Sequence, residues 1–136
     1  MTVDARDDRL EMADALARQR QAESRAASAL IQAFVSDAVA AGLAPETLTA
    51  RTYDGRSRVR TSVTGWYLKR DRSVGVGTDG SFYVLSTPGG LRERLRGAHL
   101  SPADPPLELG RGARDGESLP LDEALRKRLA GGDSWG

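Results

Sequence analysis

Residues 38–53 read AVAAGLAPETLTARTY, and the chain changes its repeat inside them. Upstream, apolar side chains recur every three or four residues; downstream, β-branched and aromatic residues arrive in short runs. Gly42 can take the left-handed position that closes a helix, Leu43 can make the apolar contact that accompanies it, and Pro45 bars continuation. The expectation is an α+β chain: a long or broken N-terminal helix, a four-stranded antiparallel β-meander, then short C-terminal helices.

Working backwards from Gly42, residues Asp4 to Ala41 contain no Gly or Pro and twelve Ala. Acids cluster in the first turns, where they complement the helix dipole. Leu30, Ile31, Phe34, Val35, Ala38 and Val39 recur on one side and mark a core helix. The earlier half is weaker. A heptad through Leu10, Ala13, Ala17, Arg20, Ser24, Ala27, Ile31, Phe34 and Ala38 puts Arg20 and Ser24 on the seam. Unbroken, these residues would make a rod of about 57 Å, too long for a compact domain of this size. Three outcomes are open: a break near Gln21 to Arg25 with Ser24 as cap, a continuous helix whose front half meets another copy or another protein, or a frayed front end.

Working forwards, four strands are expected at about Thr47 to Tyr53, Arg58 to Lys69, Ser73 to Gly77 and Ser81 to Ser86. Asp54-Gly55, Asp71-Arg72 and Thr78-Asp79-Gly80 are their turns, and connections this short force antiparallel neighbours. Val59, Thr61 and Val63 alternate inward, and Trp66 and Leu68 stay in phase with them only if Gly65 is a bulge. Beyond the sheet, Thr87-Pro88 opens a helical turn carrying Leu91 and Leu95, a covering piece that ends at Gly97. Ser101 to Glu117, rich in Pro, Gly and charge, reads as a surface loop, and Leu121, Ala124, Leu125 and Leu129 as a last helix capped by Gly131. Residues 1–41 form the helical region and 42–136 the sheet with its C-terminal loop and helix, in one domain with residues 26–41.

The 136 residues are 39% hydrophobic, much of it Ala, so the core of large side chains is modest. There is no Cys, which excludes disulfides, thiolate nucleophiles and thiolate metal sites. The acidic start and the lack of a long apolar run give a cytoplasmic expectation with no membrane contact. The net charge of +1 hides segregation: residues 1–50 carry −3, residues 51–96 carry +6 and residues 97–136 carry −2. Eighteen of the twenty basic residues are Arg, as a GC-rich bacterial genome would encode.

Two motifs invite chemistry. Gly75-Val76-Gly77-Thr78-Asp79-Gly80 has the spacing of a phosphate-binding glycine loop, but Ser81 to Leu85 is strand-like where a dinucleotide site needs a helix. A kinase loop would need a lysine strand and catalytic loop that the chain lacks. His99, the lone histidine, sits beside Pro-rich sequence without metal-ligand spacing. No catalytic residue, cofactor site or metal site is assigned. The chain is read as a noncatalytic interaction or regulatory module, self-associating and binding a protein partner. The partner-binding candidates are Arg56, Arg58, Arg60, Lys69, Arg70 and Arg72, with Trp135 on the tail as an aromatic anchor. Nucleic-acid binding through the Arg-rich sheet face is the alternative, with Tyr53, Trp66, Tyr67 and Tyr83 as stacking platforms.

Overall fold

A computed structural model describes residues 5–110 and 118–135. The front of the chain is one uninterrupted helix, α1 (Ala5–Ala40). No break occurs at Gln21 to Arg25, and the helix is continuous. Thirty-six residues at 1.5 Å each make a rod of about 54 Å. It ends as the sequence implies: Gly42 has φ of 72°, and Leu43 N–H donates to Ala38 O at 2.9 Å.

The strands follow as β1 (Glu46–Thr52), β2 (Arg58–Tyr67), β3 (Val74–Gly77), β4 (Phe82–Val84) and β5 (Ser86–Thr87). β1 to β4 form the expected antiparallel meander. The expected fourth strand is divided at Leu85, because the sheet curls back on itself there. Leu85 N–H donates to Ser73 O on one side, while its carbonyl accepts from Arg51 N–H on the other, both at 2.9 Å. Ser86 and Thr87 then pair in parallel with Arg51 and Thr52. The order β4-β3-β2-β1-β5 is therefore closed through a single residue.

Each turn of the meander is fastened by an aspartate. Asp54 accepts from the Thr52 hydroxyl and Arg56 N–H, Asp71 from Ser73 N–H and hydroxyl, and Asp79 from Ser81 N–H and hydroxyl. The hydrogen bonds from Thr52 and Arg56 hold the Asp54 carboxyl below its usual value of 3.8. At Asp71 partial burial pushes the other way, and the Ser73 bonds with Lys69 prevail, leaving it lowered too.

Gly65 is not a bulge. It pairs in register with Glu46 on one side and Gly77 on the other. The irregularity lies earlier, between the Thr49–Arg60 and Thr47–Thr64 pairs, where β2 carries the extra residues. There the Thr61 hydroxyl donates to Leu48 O at 2.7 Å, and Ala98 pairs with the same stretch of β2, donating to Arg60 O at 2.7 Å and accepting from Ser62 N–H at 3.1 Å. The phase argument fails because both faces of the sheet are covered here. Trp66, Leu68, Val76 and Phe82 pack under α1, and Val63, Tyr67, Tyr83 and Leu85 form a second cluster with Leu48 and Ala50. Neighbours on a strand point to opposite faces, so consecutive buried residues need no bulge. Gly65 is required for another reason: a Cβ there would lie 1.9 Å from Val76 O. Gly75 is similarly confined, 2.8 Å from Leu48 Cδ1.

The stripe of α1 that covers the sheet is narrow: Ala27, Ile31, Phe34 and Ala38 are buried, whereas Leu30 and Val39, expected in the core, are exposed. Phe34 meets Trp66 edge-on at 5.7 Å, and the indole N–H donates to Leu43 O at 3.2 Å. After β5 comes α2 (Leu91–Arg96), closed by Gly97 as expected. It is not a covering piece, since Leu91 and Leu95 are 73% and 76% exposed. The chain then makes a short hairpin of β6 (Glu108–Leu109) with β7 (Leu119–Pro120). Residues 111–117 of the expected surface loop lie outside the described residues. The last helix, α3 (Leu121–Gly131), buries Leu121, Ala124, Leu125 and Arg128, and Gly132 rather than Gly131 takes the positive φ beyond it.

Candidate functional site

Two surfaces hold the residues with unused capacity. The first is the front of α1. Every residue from Ala5 to Ala22 is exposed, including Leu10, Met12 and Leu16 at 59%, 67% and 48%. The body borders the helix from Arg20 onward: the Asp104-Pro105 segment shares an open pocket with Arg20, Gln21 and Ser24, and the Glu23 carboxylate accepts Leu107 N–H at 3.1 Å. About 27 Å of helix stands clear of the sheet.

The second surface is basic, and the closed sheet divides the expected cluster into separate places. Arg58 and Arg60 on β2 line an open groove of about 520 Å³ with Arg94 and Arg96 of α2. Arg60, Arg94 and Arg96 are exposed at its walls. Arg58 is largely spent on structure: its Nε donates to Thr49 Oγ1 and its terminal nitrogen to Thr49 O, each at 2.8 Å, and to Arg72 O at 3.0 Å. It clamps β1 to the β2–β3 turn. Arg72 lies 5.5 Å over the Tyr67 ring, and its positive φ of 59° belongs to the turn itself. Arg56 is exposed on the preceding turn.

Lys69, Arg70 and Trp135 converge elsewhere. They line a cleft of about 820 Å³ whose floor includes Leu68, Leu119 and Ala124. Trp135 is folded back, half-buried, against the second core cluster, and the Arg128 guanidinium lies 4.8 Å over its ring. Arg128 also donates to Gly132 O at 2.8 Å, while its Nε is buried without a partner among the described residues. Burial pushes this guanidinium below its usual value, and Glu46 and Asp133 pull it back. Two charges of the cleft are already engaged, Lys69 with Asp71 at 3.6 Å and Lys127 with Glu123 at 2.9 Å. Arg70 is the remaining cation among the described residues that line it.

Three of the four aromatic platforms expected for nucleic acid are unusable. Trp66, Tyr67 and Tyr83 are 1%, 6% and 9% exposed, leaving Tyr53 in the open. Tyr67 spends its hydroxyl on Thr49, 2.9 Å from the backbone nitrogen. Sequence reasoning missed Leu91 and Leu95 as surface groups. The absence of a third apolar position in the LRERLR helix is the signal that could have found them.

No family model matches the chain, and no curated protein or solved structure matches it. Among the described residues no three His, Asp or Glu are grouped to hold a metal ion, and no helix is long and apolar enough to cross a membrane. His99 is exposed. Gly75 and Gly77 lie buried within β3, and a strand, β4, follows the motif where a dinucleotide site needs a helix.

Proposed function

We propose that the protein is a noncatalytic interaction module. It self-associates through the front of α1 and offers the groove between β2 and α2 to an acidic segment of a protein partner. The observation carrying this reading is the exposed run from Ala5 to Ala22 with Leu10, Met12 and Leu16 in solvent. A helix of that length without tertiary packing is marginal in water. Pairing supplies the burial that its leucines lack, at about 25 cal/mol per Å² of apolar surface removed from water.

The expected mass in sedimentation is twice the 14.6 kDa of one chain. Leu10→Glu combined with Leu16→Glu should return the protein to a folded monomer whose denaturation midpoint no longer rises with protein concentration, because neither side chain belongs to the core. A native chain that stays monomeric over a wide concentration range refutes self-association.

A second reading, nucleic-acid binding, is favoured by the convergence of Arg58, Arg60, Arg94 and Arg96 on one groove. With Arg58 engaged in its clamp, three phosphate contacts from Arg60, Arg94 and Arg96 would release enough counterions to weaken binding roughly 40-fold between about 50 and 200 mM salt. Arg60→Ala with Arg94→Ala should abolish it without disturbing the Arg58 clamp. A chain that binds no oligonucleotide at low salt eliminates this reading.

A further inference from the structure

We infer that two copies pair through the front halves of α1 in antiparallel orientation, crossing near Ala13 to Ala17. This rests on the self-association reading and specifies its geometry. Leu10, Ala13, Ala17, Arg20 and Ser24 continue the heptad whose rear members, Ala27, Ile31, Phe34 and Ala38, are the four buried residues of α1. One stripe thus runs the whole helix, covered by the sheet behind and by no described residue of the same chain over Leu10, Ala13 and Ala17 in front.

Charge selects the orientation. Residues 7–14 carry four acids, Asp7, Asp8, Glu11 and Asp14, against Arg9, a net of −3; residues 18–25 carry Arg18, Arg20 and Arg25 against Glu23, a net of +2. A parallel pair sets −3 beside −3 and +2 beside +2. An antiparallel pair sets −3 against +2 at both ends, the arrangement that partner choice in helix pairs rewards. The seam agrees. Crossing at Ala13 and Ala17, small side chains let the backbones approach closely. The same register places Leu10 opposite Arg20 of the second copy, whose aliphatic stem can cover the leucine while its charged head stays in water beside the acidic tip. Sterics agree as well, since the body packs on α1 from Glu23 onward and borders it only at an open pocket beside Arg20 and Gln21. The two bodies then lie at opposite ends of the crossing.

The chain has no Cys, so one introduced thiol reports without ambiguity. Leu10→Cys and Arg20→Cys are prepared separately in the full chain; both positions are exposed, so neither change disturbs the core. On oxidation of an equal mixture, the dominant covalent dimer is expected to join Leu10→Cys to Arg20→Cys, while each variant alone gives little dimer. Efficient self-linking of each variant alone signifies a parallel pair and overturns the inference. Linking of Leu10→Cys to a Leu95→Cys chain instead places the tip on α2 and also overturns it. A native chain that sediments as a dimer without the mixed link refutes the antiparallel geometry and leaves self-association standing; a native monomer refutes both.

Discussion

Trp66→Ala is expected to lower the stability of the protein by about 3–5 kcal/mol, the range for removing a large aromatic from a packed core. Trp66 is 1% exposed and joins the two layers of the molecule: its ring meets Phe34 of α1, and its N–H holds Leu43 O just beyond the helix end. Its loss opens a void beneath the one stripe by which α1 grips the sheet and strips a buried carbonyl of its donor, adding about 1 kcal/mol. Domains of this kind have only about 5–15 kcal/mol in total. The check is a denaturant titration, in which the midpoint should fall by at least about one fifth with the slope retained. Trp66→Phe should lose less, because it keeps most of the volume and forfeits the hydrogen bond. An unchanged midpoint in the alanine variant would mean that α1 does not depend on this contact.

Gly65→Ala should be comparably severe despite adding one methyl group. The added carbon would sit 1.9 Å from Val76 O and 2.8 Å from Gly77 Cα, both backbone atoms of the paired strand. No rotamer change relieves a clash with backbone, so β2 and β3 must separate where Trp66–Val76 and Tyr67–Gly75 pair. Overpacking in a tight site costs about 1–3 kcal/mol, and occasionally more; this position, closed by backbone on the β3 side, belongs at or above the upper end. Loss of midpoint by denaturation, together with accelerated hydrogen exchange at Trp66 and Val76, is the expected signature. Exchange rates equal to those of the native chain would show that the strands adjust without parting.

Both residues also show what the sequence makes legible. The change of repeat at Gly42 to Pro45 locates the helix end, and the Asp-led turns locate three hairpins, because these are local events encoded by a few adjacent residues. Gly65 stands out in the sequence for the wrong reason. Simple alternation implies one buried face, whereas coiling of the sheet gives it two. The pairing of Ser86-Thr87 with Arg51-Thr52 is illegible, since two residues meeting across 35 positions leave no pattern behind. The candidate site is legible in composition and not in place. A segregated basic middle is evident, but the partition of Arg58 and Arg60 from Lys69, Arg70 and Trp135 depends on where α2 and α3 come to rest. That Arg58 is consumed as a clamp follows only from the approach of Thr49 and the Arg72 carbonyl.

The closure through Leu85 bears on how copies of this chain can meet. A sheet normally exposes two rows of unpaired amides and carbonyls, which recruit further strands and seed fibrils. Here the seam at Leu85 consumes the rim of β1 and β3, and Ala103 N–H caps Phe82 O at 2.8 Å on the flank of β4. These stretches of the five-stranded sheet are thereby withheld from any added strand, which guards it against edge-to-edge aggregation at high concentration.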